Sequence, residues 1–411
     1  MVSFSKGRRT GQLFYGIIYG MFKNGIKIGI IPRLFLAIAI GAVVGAVAPG
    51  CVIRALNCFS GTFGQFIRFF VPFIVLGLVA PAIAETGVGA GRMLLVTMGI
   101  AYASTLFAGT FAFCVSDTIF PRVLHGTLNS ASQVQTFPAY FILEIPPVMG
   151  ITSALVTAFI FGLAMVKLDA PTLKRTFSEM RETVTLTISK AFLPLLPFYI
   201  LSVIADLTAS GKLAVVGGSC VAIMGVAFGV TSMVLVVQYA VAGAVAGKNP
   251  FRALLNMLPA YLTGWGCCSS AATLPVTLRQ TRKNGVSGKI VDLVIPLCAN
   301  VHLAGSMANM VVYTAGFTVL FGGEISIVKY IEFMFVLSVI AVASPGIPGG
   351  VVLASATIAE TVLGFTPERY ALVIATYMAL DGMGTACNLT GDGAIALVVD
   401  RIYRGRSGEE T

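Results

Sequence analysis

Two aspartates lie inside a run apolar enough to be a membrane helix, residues 379–400, ALDGMGTACNLTGDGAIALVVD. Charge in hydrocarbon is costly, and ionisable residues kept there mark binding sites and transport pathways. Asp381, Thr385, Asn388 and Asp392 fall at i, i+4, i+7 and i+11, within roughly 40° of one line on a helix. Such a stripe offers one lumen a carboxylate, a hydroxyl, an amide and a second carboxylate in order. Asp381 suits an ammonium group. Asn388 can donate to a carboxylate and offer its backbone oxygen to a cation. Asp392 follows Gly391, where a break would free carbonyls, and a hard cation takes carboxylate plus carbonyl oxygens. The preceding long span, 290–322, holds no Lys or Arg to neutralise either aspartate.

Composition says what carries these residues. The chain has 411 residues, 57% of them hydrophobic and 11% charged, where a soluble protein carries about 25% charge. It reads as an all-α polytopic membrane protein. At roughly 20 residues per span there is room for about eight transmembrane helices plus shorter pieces. The net charge of +10 is not spread evenly. Basic residues gather in the N-terminal stretch (Lys6 to Arg33), in 167–181, at Lys248 and Arg252, in 279–289 and in the tail at Arg401, Arg404 and Arg406. Alternate spans would place these segments on one side, which is the positive-inside pattern with both termini cytoplasmic, and it argues against a nucleic-acid partner. The first 27 residues form a basic amphipathic lead-in without a small-residue cleavage site, so they do not read as a removable signal. The eight cysteines lack metal-like spacing and read as free thiols packed as small hydrophobes; the alternative is an external Cys51–Cys58 pair.

Candidate spans are 34–50, 66–84, 93–116, 149–167, 190–208 and 213–247, with cytoplasmic breaks at 167–182 and 246–252 and a polar external connection over 117–148. After residue 250 the text changes. Residues 254–285 are two apolar halves, each too short to span, split by small polar residues and basic at both ends. This predicts a re-entrant hairpin from the cytoplasmic side. A long span, 290–322, is interrupted by CANVHLAGS. The pattern recurs over 327–363, split by ASPGIPGG and entering from outside, and then in a last span, 367–403, interrupted by NLTGDG. Paired Gly/Pro-broken segments in opposite orientation point to the site of a secondary transporter, because non-helical backbone at membrane depth survives only where protein or water satisfies it. Ser269 and Ser270 at the first tip lie near a helix start, which favours an anion such as a carboxylate. The second tip, 344–350, presents backbone rather than side chains.

SSAATLPVT (269–277), PGIPGG (345–350) and NLTGD (388–392) resemble the signature breaks of the glutamate-transporter family, also called dicarboxylate/amino acid:cation symporters. The resemblance is specific over 250–403 and rests on span layout before that. It implies a homotrimer in the cell membrane that works as an elevator, eight transmembrane helices with two hairpins of opposite orientation. Residues 1–250 would hold six spans, of which the second, fourth and fifth form the scaffold. The third and sixth would join a transport core over 251–403, with 404–411 a cytoplasmic tail. The second hairpin would be the extracellular gate.

Site residues follow from the same resemblance. Substrate would meet Ser269, Ser270, Ile347, Pro348, Gly349, Asp381, Gly384, Thr385 and Asn388. Asp381 matches the aspartate that holds an amino group and Asn388 the asparagine on the α-carboxylate. Gly384 stands where acidic-substrate members carry an arginine, so a second carboxylate would lack a partner, and an unpaired buried charge is prohibitive. SSAA resembles the bacterial serine/threonine branch, implying serine, threonine or alanine as substrate. Sodium would be the coupling ion, with no other cofactor. One site would use Asp392 and carbonyls of Cys298, His302 and Asn388; a second would use Asn300, Ala341, Val342 and Ser344. A third, beside Ser104 and Thr105, has lost its carboxylate to Ala304. His302 titrates near neutrality when unperturbed, which opens H+ as a further coupling ion. The alternatives are a dicarboxylate or acidic amino acid carrier, which Asp381 opposes, and a membrane hydrolase using Ser269 or Ser270 with His302, for which no hydrolase motif is present.

Overall fold

Runs of Leu, Ile, Val, Phe and Ala without a period-two alternation dictate helices, since in hydrocarbon each helix satisfies its own backbone. The computed structural model describes residues 30–87, 92–124, 137–168, 170–343 and 349–407; these are mostly helical, with no strand among them. Among the described residues five helical stretches are long and apolar enough to cross a membrane, Gly50–Pro81, Met93–Val123, Pro171–Ala209, Val216–Ala246 and Gly288–Leu320, and two shorter apolar helices accompany them.

The helices fall into two packing groups. In the first, α1 (Ile30–Val47) lies on α6 (Leu193–Ala209), and α2 (Gly50–Gly87) packs on α4 (Ile151–Lys167), α5 (Pro171–Thr187) and α6. In the second, α3 (Arg92–Val123) and α7 (Leu213–Ala246) pack against the C-terminal elements, which the short α8 (Pro250–Asn256) introduces. These are α9 (Leu258–Cys267), α10 (Ser270–Lys283), α11 (Gly288–Val301), α12 (Ala304–Leu320), α13 (Ile327–Ala343), α14 (Gly350–Ala354), α15 (Ala356–Thr361) and α16 (Pro367–Ser407). Polar ties between the groups include the Arg68–Glu360 ion pair at 2.6 Å and the Tyr199 hydroxyl donating to the Pro367 carbonyl at 2.8 Å.

Four expectations need correction. The second helix starts at Gly50, not 66, because its polar residues find partners: Asn57 donates to Asp206 Oδ1 at 2.8 Å and to the Phe137 carbonyl at 2.7 Å. The 167–182 break is largely helix α5, entered by a proline in its first turn and burying only Phe177 and Val184. The third helix runs to Val123, two turns beyond 116, before residues 137–150 return along α2 without helix. The last span is not broken at 388–393. That stretch is continuous buried helix, and the irregular residue is Leu380, at φ −123°, ψ 17°. Cys51 and Cys58 are both free; on one helix, seven residues apart, they stand about 10 Å from each other, too far to bridge.

Helix α16 runs so close to α9 that a Cβ at Gly382 would stand 2.1 Å from the Trp265 carbonyl oxygen. Backbone cannot yield as a flexible side chain does, and overpacking costs about 1–3 kcal/mol. Gly382→Ala is therefore expected to lower Tm and shift the emission of Trp265, the protein's single tryptophan. An unchanged spectrum and Tm would refute this packing.

Candidate functional site

The first pair of short helices meets at a tight turn. Cys268 takes a left-handed conformation (φ 50°) and Ser269 an extended one, and Ser269 Oγ accepts from Ala272 N at 3.4 Å to start α10. The break between α11 and α12 sits at His302 and Leu303. Between these breaks, α13–α14 and the Leu380 kink of α16 lies a cavity of about 60 Å³. It brings together Ser270, Asn300, Ala341, Asp381, Thr385 and Asn388 from the expected set, with Ser306 and Tyr377 in addition. No Lys, Arg or His is in its described lining.

Each polar group has a defined role. Asp381 directly follows the kink and is 6% exposed; its Oδ2 accepts from Gly349 N at 2.9 Å. Asn388 reaches across to the start of α12, where Oδ1 accepts from Gly305 N (2.8 Å) and Ser306 N (3.3 Å) and Nδ2 donates to Ser306 Oγ (3.0 Å). One amide N–H remains for a ligand. Two helix starts, at Ser270 and Ala304, thus border the cavity, each with the partial positive charge that favours a carboxylate. Ser269 is used as a cap rather than as cavity lining. Gly384 does not line the cavity either: its missing side chain faces α12, and a Cβ there would stand 2.9 Å from Asn309 Nδ2. Ile347, Pro348 and Ser344 lie outside the described residues, while Val342 packs on the apolar cluster around α11 and the end of α16.

Asp392 continues the stripe but belongs to a second cluster, which the cavity does not include. Its Oδ1 lies 2.9 Å from His302 Nδ1, both residues fully buried. His302 Nε2 meets Ser104 Oγ at 3.0 Å and the Gln238 amide nitrogen at 3.2 Å. With the Gln238 amide oriented as a donor, Nε2 accepts and Nδ1–H donates to the carboxylate. Among the described residues no Lys or Arg pairs with either aspartate, and the partner of Asp392 is His302, a hydrogen-bond donor 90 positions away in the chain. The carbonyl of Cys298 accepts from His302 N at 2.8 Å, and Thr105 Oγ1 accepts from Leu303 N at 3.2 Å. Among the described residues, Asp392 Oδ2 is buried without a partner. An unpartnered carboxylate oxygen is the kind of donor that a hard cation takes.

The order Ser104, His302, Asp392 mimics a hydrolytic relay, and Ser269 and Ser270 are not His302's partners. Ser104 is held by Gln238 at 2.9 Å, and neither Ser104 nor His302 lines the cavity that holds Asp381. Sequence reasoning missed Ser306, Asn309, Tyr377 and Gln238. The signal for Asn309 was its spacing of three from Ser306.

Comparison with known proteins agrees with this architecture. Proteins named serine/threonine transporter SstT are similar to it. That of Streptococcus thermophilus (strain CNRZ 1066) is 26% identical over 343 residues, covering 80% of this chain and 84% of the relative. That of Acinetobacter baumannii (strain ATCC 17978) is 25% identical over 393 residues, 91% of this chain and 97% of the relative. That of Streptococcus suis (strain 05ZYH33) is 24% identical over 346 residues, 80% and 93% respectively. The family model for sodium:dicarboxylate symporters matches residues 30–402. Long apolar helices and a match over nearly the whole length lead to one conclusion: this multi-pass membrane protein is a transporter and not an enzyme, and it belongs to the sodium:dicarboxylate symporter family.

Proposed function

We propose that the protein is a secondary active symporter that carries a small neutral amino acid (serine, threonine or alanine) into the cell with Na+. The observation that carries this reading is the charge inventory of the cavity: Asp381 alone, no cation, and two helix starts. A zwitterion matches it, its ammonium on Asp381 and its one carboxylate between the Ser270 end of α10 and the free N–H of Asn388. A second carboxylate would lie unpaired beside Asp381, and a buried unpaired charge is strongly disfavoured.

Sodium would sit on the orphan Oδ2 of Asp392, with carbonyls of Cys298, His302 and Asn388 as further donors. A second ion would use Asn300, Ala341, Val342 and Ser344, of which Asn300 and Ala341 border the cavity. The two packing groups support an elevator in which α3, α7 and the C-terminal elements move as the transport core against a trimeric scaffold built on α2, α4 and α6. Sliding would break the Arg68–Glu360 and Tyr199–Pro367 ties, so these belong to one end state. The hairpin after α13 would be the outer gate, its Gly349 N–H resting on Asp381.

The test is uptake of labelled serine into proteoliposomes under an inward Na+ gradient, with choline replacing Na+ as control, each with and without a pH gradient. The expected result is Na+-dependent uptake that excess threonine or alanine blocks and glutamate does not. Uptake following the pH gradient alone would move coupling to H+, and uptake of dicarboxylates instead of serine would overturn the substrate reading.

A further inference from the structure

Away from the substrate cavity, at one end of the C-terminal elements, a short turn gathers charge from four helices. Side-chain bonds fix its surroundings. Asn284 Nδ2 donates to the Ala253 carbonyl at 3.0 Å and Asn284 Oδ1 accepts from Asn256 at 2.8 Å, which seats the turn on α8. Lys248 Nζ donates to the Asn284 and Gly285 carbonyls at 2.6 and 3.1 Å. Ser287 N donates to Asp400 Oδ1 at 3.0 Å, which seats the turn on α16. Beside these ties stand Arg252 of α8, Lys283 of α10, Lys289 of α11 and Arg401 of α16, all exposed. None of the four forms an ion pair among the described residues, whereas their neighbour Arg282 does, with Asp292.

The local electrostatics oppose helix stability and suit an anion. Lys289 lies in the first turn of α11, which holds no acidic residue and no side-chain cap. A cation there adds to the positive end of the helix instead of cancelling it. By contrast α5, which the sequence places on the same side, sets Glu179 and Glu182 among Lys174, Arg175 and Arg181. Depth identifies the anion. Lys283, Lys289 and Arg401 each stand about 13 residues along a helix from the level of the cavity, marked by Ser270, the His302 break and Asn388, which is about 20 Å. Substrate sites of secondary transporters lie near the bilayer midplane, and half of the hydrocarbon core is about 15 Å thick. The cations therefore emerge among lipid headgroups.

We infer that this end of the C-terminal elements is a docking surface for anionic phospholipid headgroups, and that the contact travels with the substrate cavity. Three of the four cations ride on α10, α11 and α16, the helices that build the cavity, so headgroups that hold the surface also hold the cavity at one depth. Lys and Arg clustered at the cytoplasmic ends of spans attract anionic lipid by about fivefold per charge. The inference rests on the proposed symporter only for its effect on transport.

The experiment has two arms. In detergent, the Tm of the purified protein is followed as phosphatidylglycerol, phosphatidylcholine or inorganic phosphate is added. Phosphatidylglycerol is expected to raise the Tm of the wild type, as a ligand of the folded state does, with the other two inert. In the quadruple variant Arg252→Gln/Lys283→Gln/Lys289→Gln/Arg401→Gln the rise disappears; in Lys283→Arg/Lys289→Arg, which keeps both charges, it persists. In proteoliposomes, replacing about a third of the phosphatidylcholine by phosphatidylglycerol is expected to slow serine uptake by the wild type about three- to tenfold at low salt, because one end state is held, and to leave the quadruple variant unaffected. Equal Tm shifts with both lipids, or a quadruple variant that keeps the phosphatidylglycerol shift, would overturn the inference. A shift with inorganic phosphate as large as that with phosphatidylglycerol would replace the lipid by a soluble anion. Wild-type uptake indifferent to the lipid would overturn the coupling to the cavity. The Tm arm needs no substrate, so a protein that takes up no serine fails the proposed function alone, and the wild-type lipid series does not depend on any variant folding.

Discussion

Asp381→Asn is expected to lower amino acid uptake by about 10²- to 10³-fold, because removing one partner of a buried charge pair costs about 3–5 kcal/mol. The loss should fall on binding and not on folding. Asn keeps a side-chain oxygen that can accept from Gly349 N as Asp381 Oδ2 does at 2.9 Å. It also removes a buried carboxylate that, among the groups lining the cavity, has no basic partner until substrate arrives. Thermal stability should therefore hold or rise while substrate affinity collapses. The check is uptake together with Tm in detergent, and with serine-induced change in Trp265 emission as a measure of binding. A variant that unfolds would show that Asp381 is structural. A variant that transports serine at wild-type affinity would show that the ammonium binds elsewhere, and the charge inventory of the cavity would lose its meaning.

The breaks that build this cavity were legible because small, polar or proline residues interrupt apolar runs at 268–270 and 302–306, and the structure turns or restarts helices there. The kink in the last helix was not. Leu380 is an ordinary helix former, while the Asn, Thr, Asp and Gly of 388–393 suggest a break and yet stay helical. The polarity of two of them is answered from other helices instead: Asn388 caps α12 and Asp392 takes His302, while Thr390 accepts from the Tyr239 hydroxyl at 2.8 Å only through its backbone carbonyl. Polar residues in a span thus announce partners as often as breaks, and sequence periodicity cannot say which. Helix α5 was masked by its charge, although a proline in the first turn and Arg175 four residues before Glu179 are helix signals. The direction of Gly384 was equally hidden. The stripe geometry places it beside the cavity, but only the close packing of α12 on α16 turns it towards Asn309.

His302→Leu is expected to destabilise the protein by about 1–3 kcal/mol or more, since it leaves the buried Asp392 carboxylate without its hydrogen-bond donor. Both residues are fully buried, and Oδ2 already lacks a partner, so the variant leaves neither oxygen bonded among the described residues. A cation is then the remaining means of neutralising that charge. Ligands that bind only the folded state stabilise it in proportion to the logarithm of their occupancy, so Na+ should raise the Tm of His302→Leu more than that of the wild type, with choline inert. Pairing the change with Asp392→Leu removes the stranded charge, because replacing both partners of a buried hydrogen bond by apolar groups of similar shape is nearly neutral. The double variant should recover most of the lost stability and show no Na+ response in Tm, and its serine uptake should no longer depend on Na+ at this site. Three curves of Tm against Na+, for wild type, single and double variant, separate the two roles of Asp392. A single variant as stable as the wild type would mean that the His302 contact contributes nothing. A double variant that keeps the wild-type Na+ response would remove Asp392 from the ion site while leaving its pairing with His302 intact.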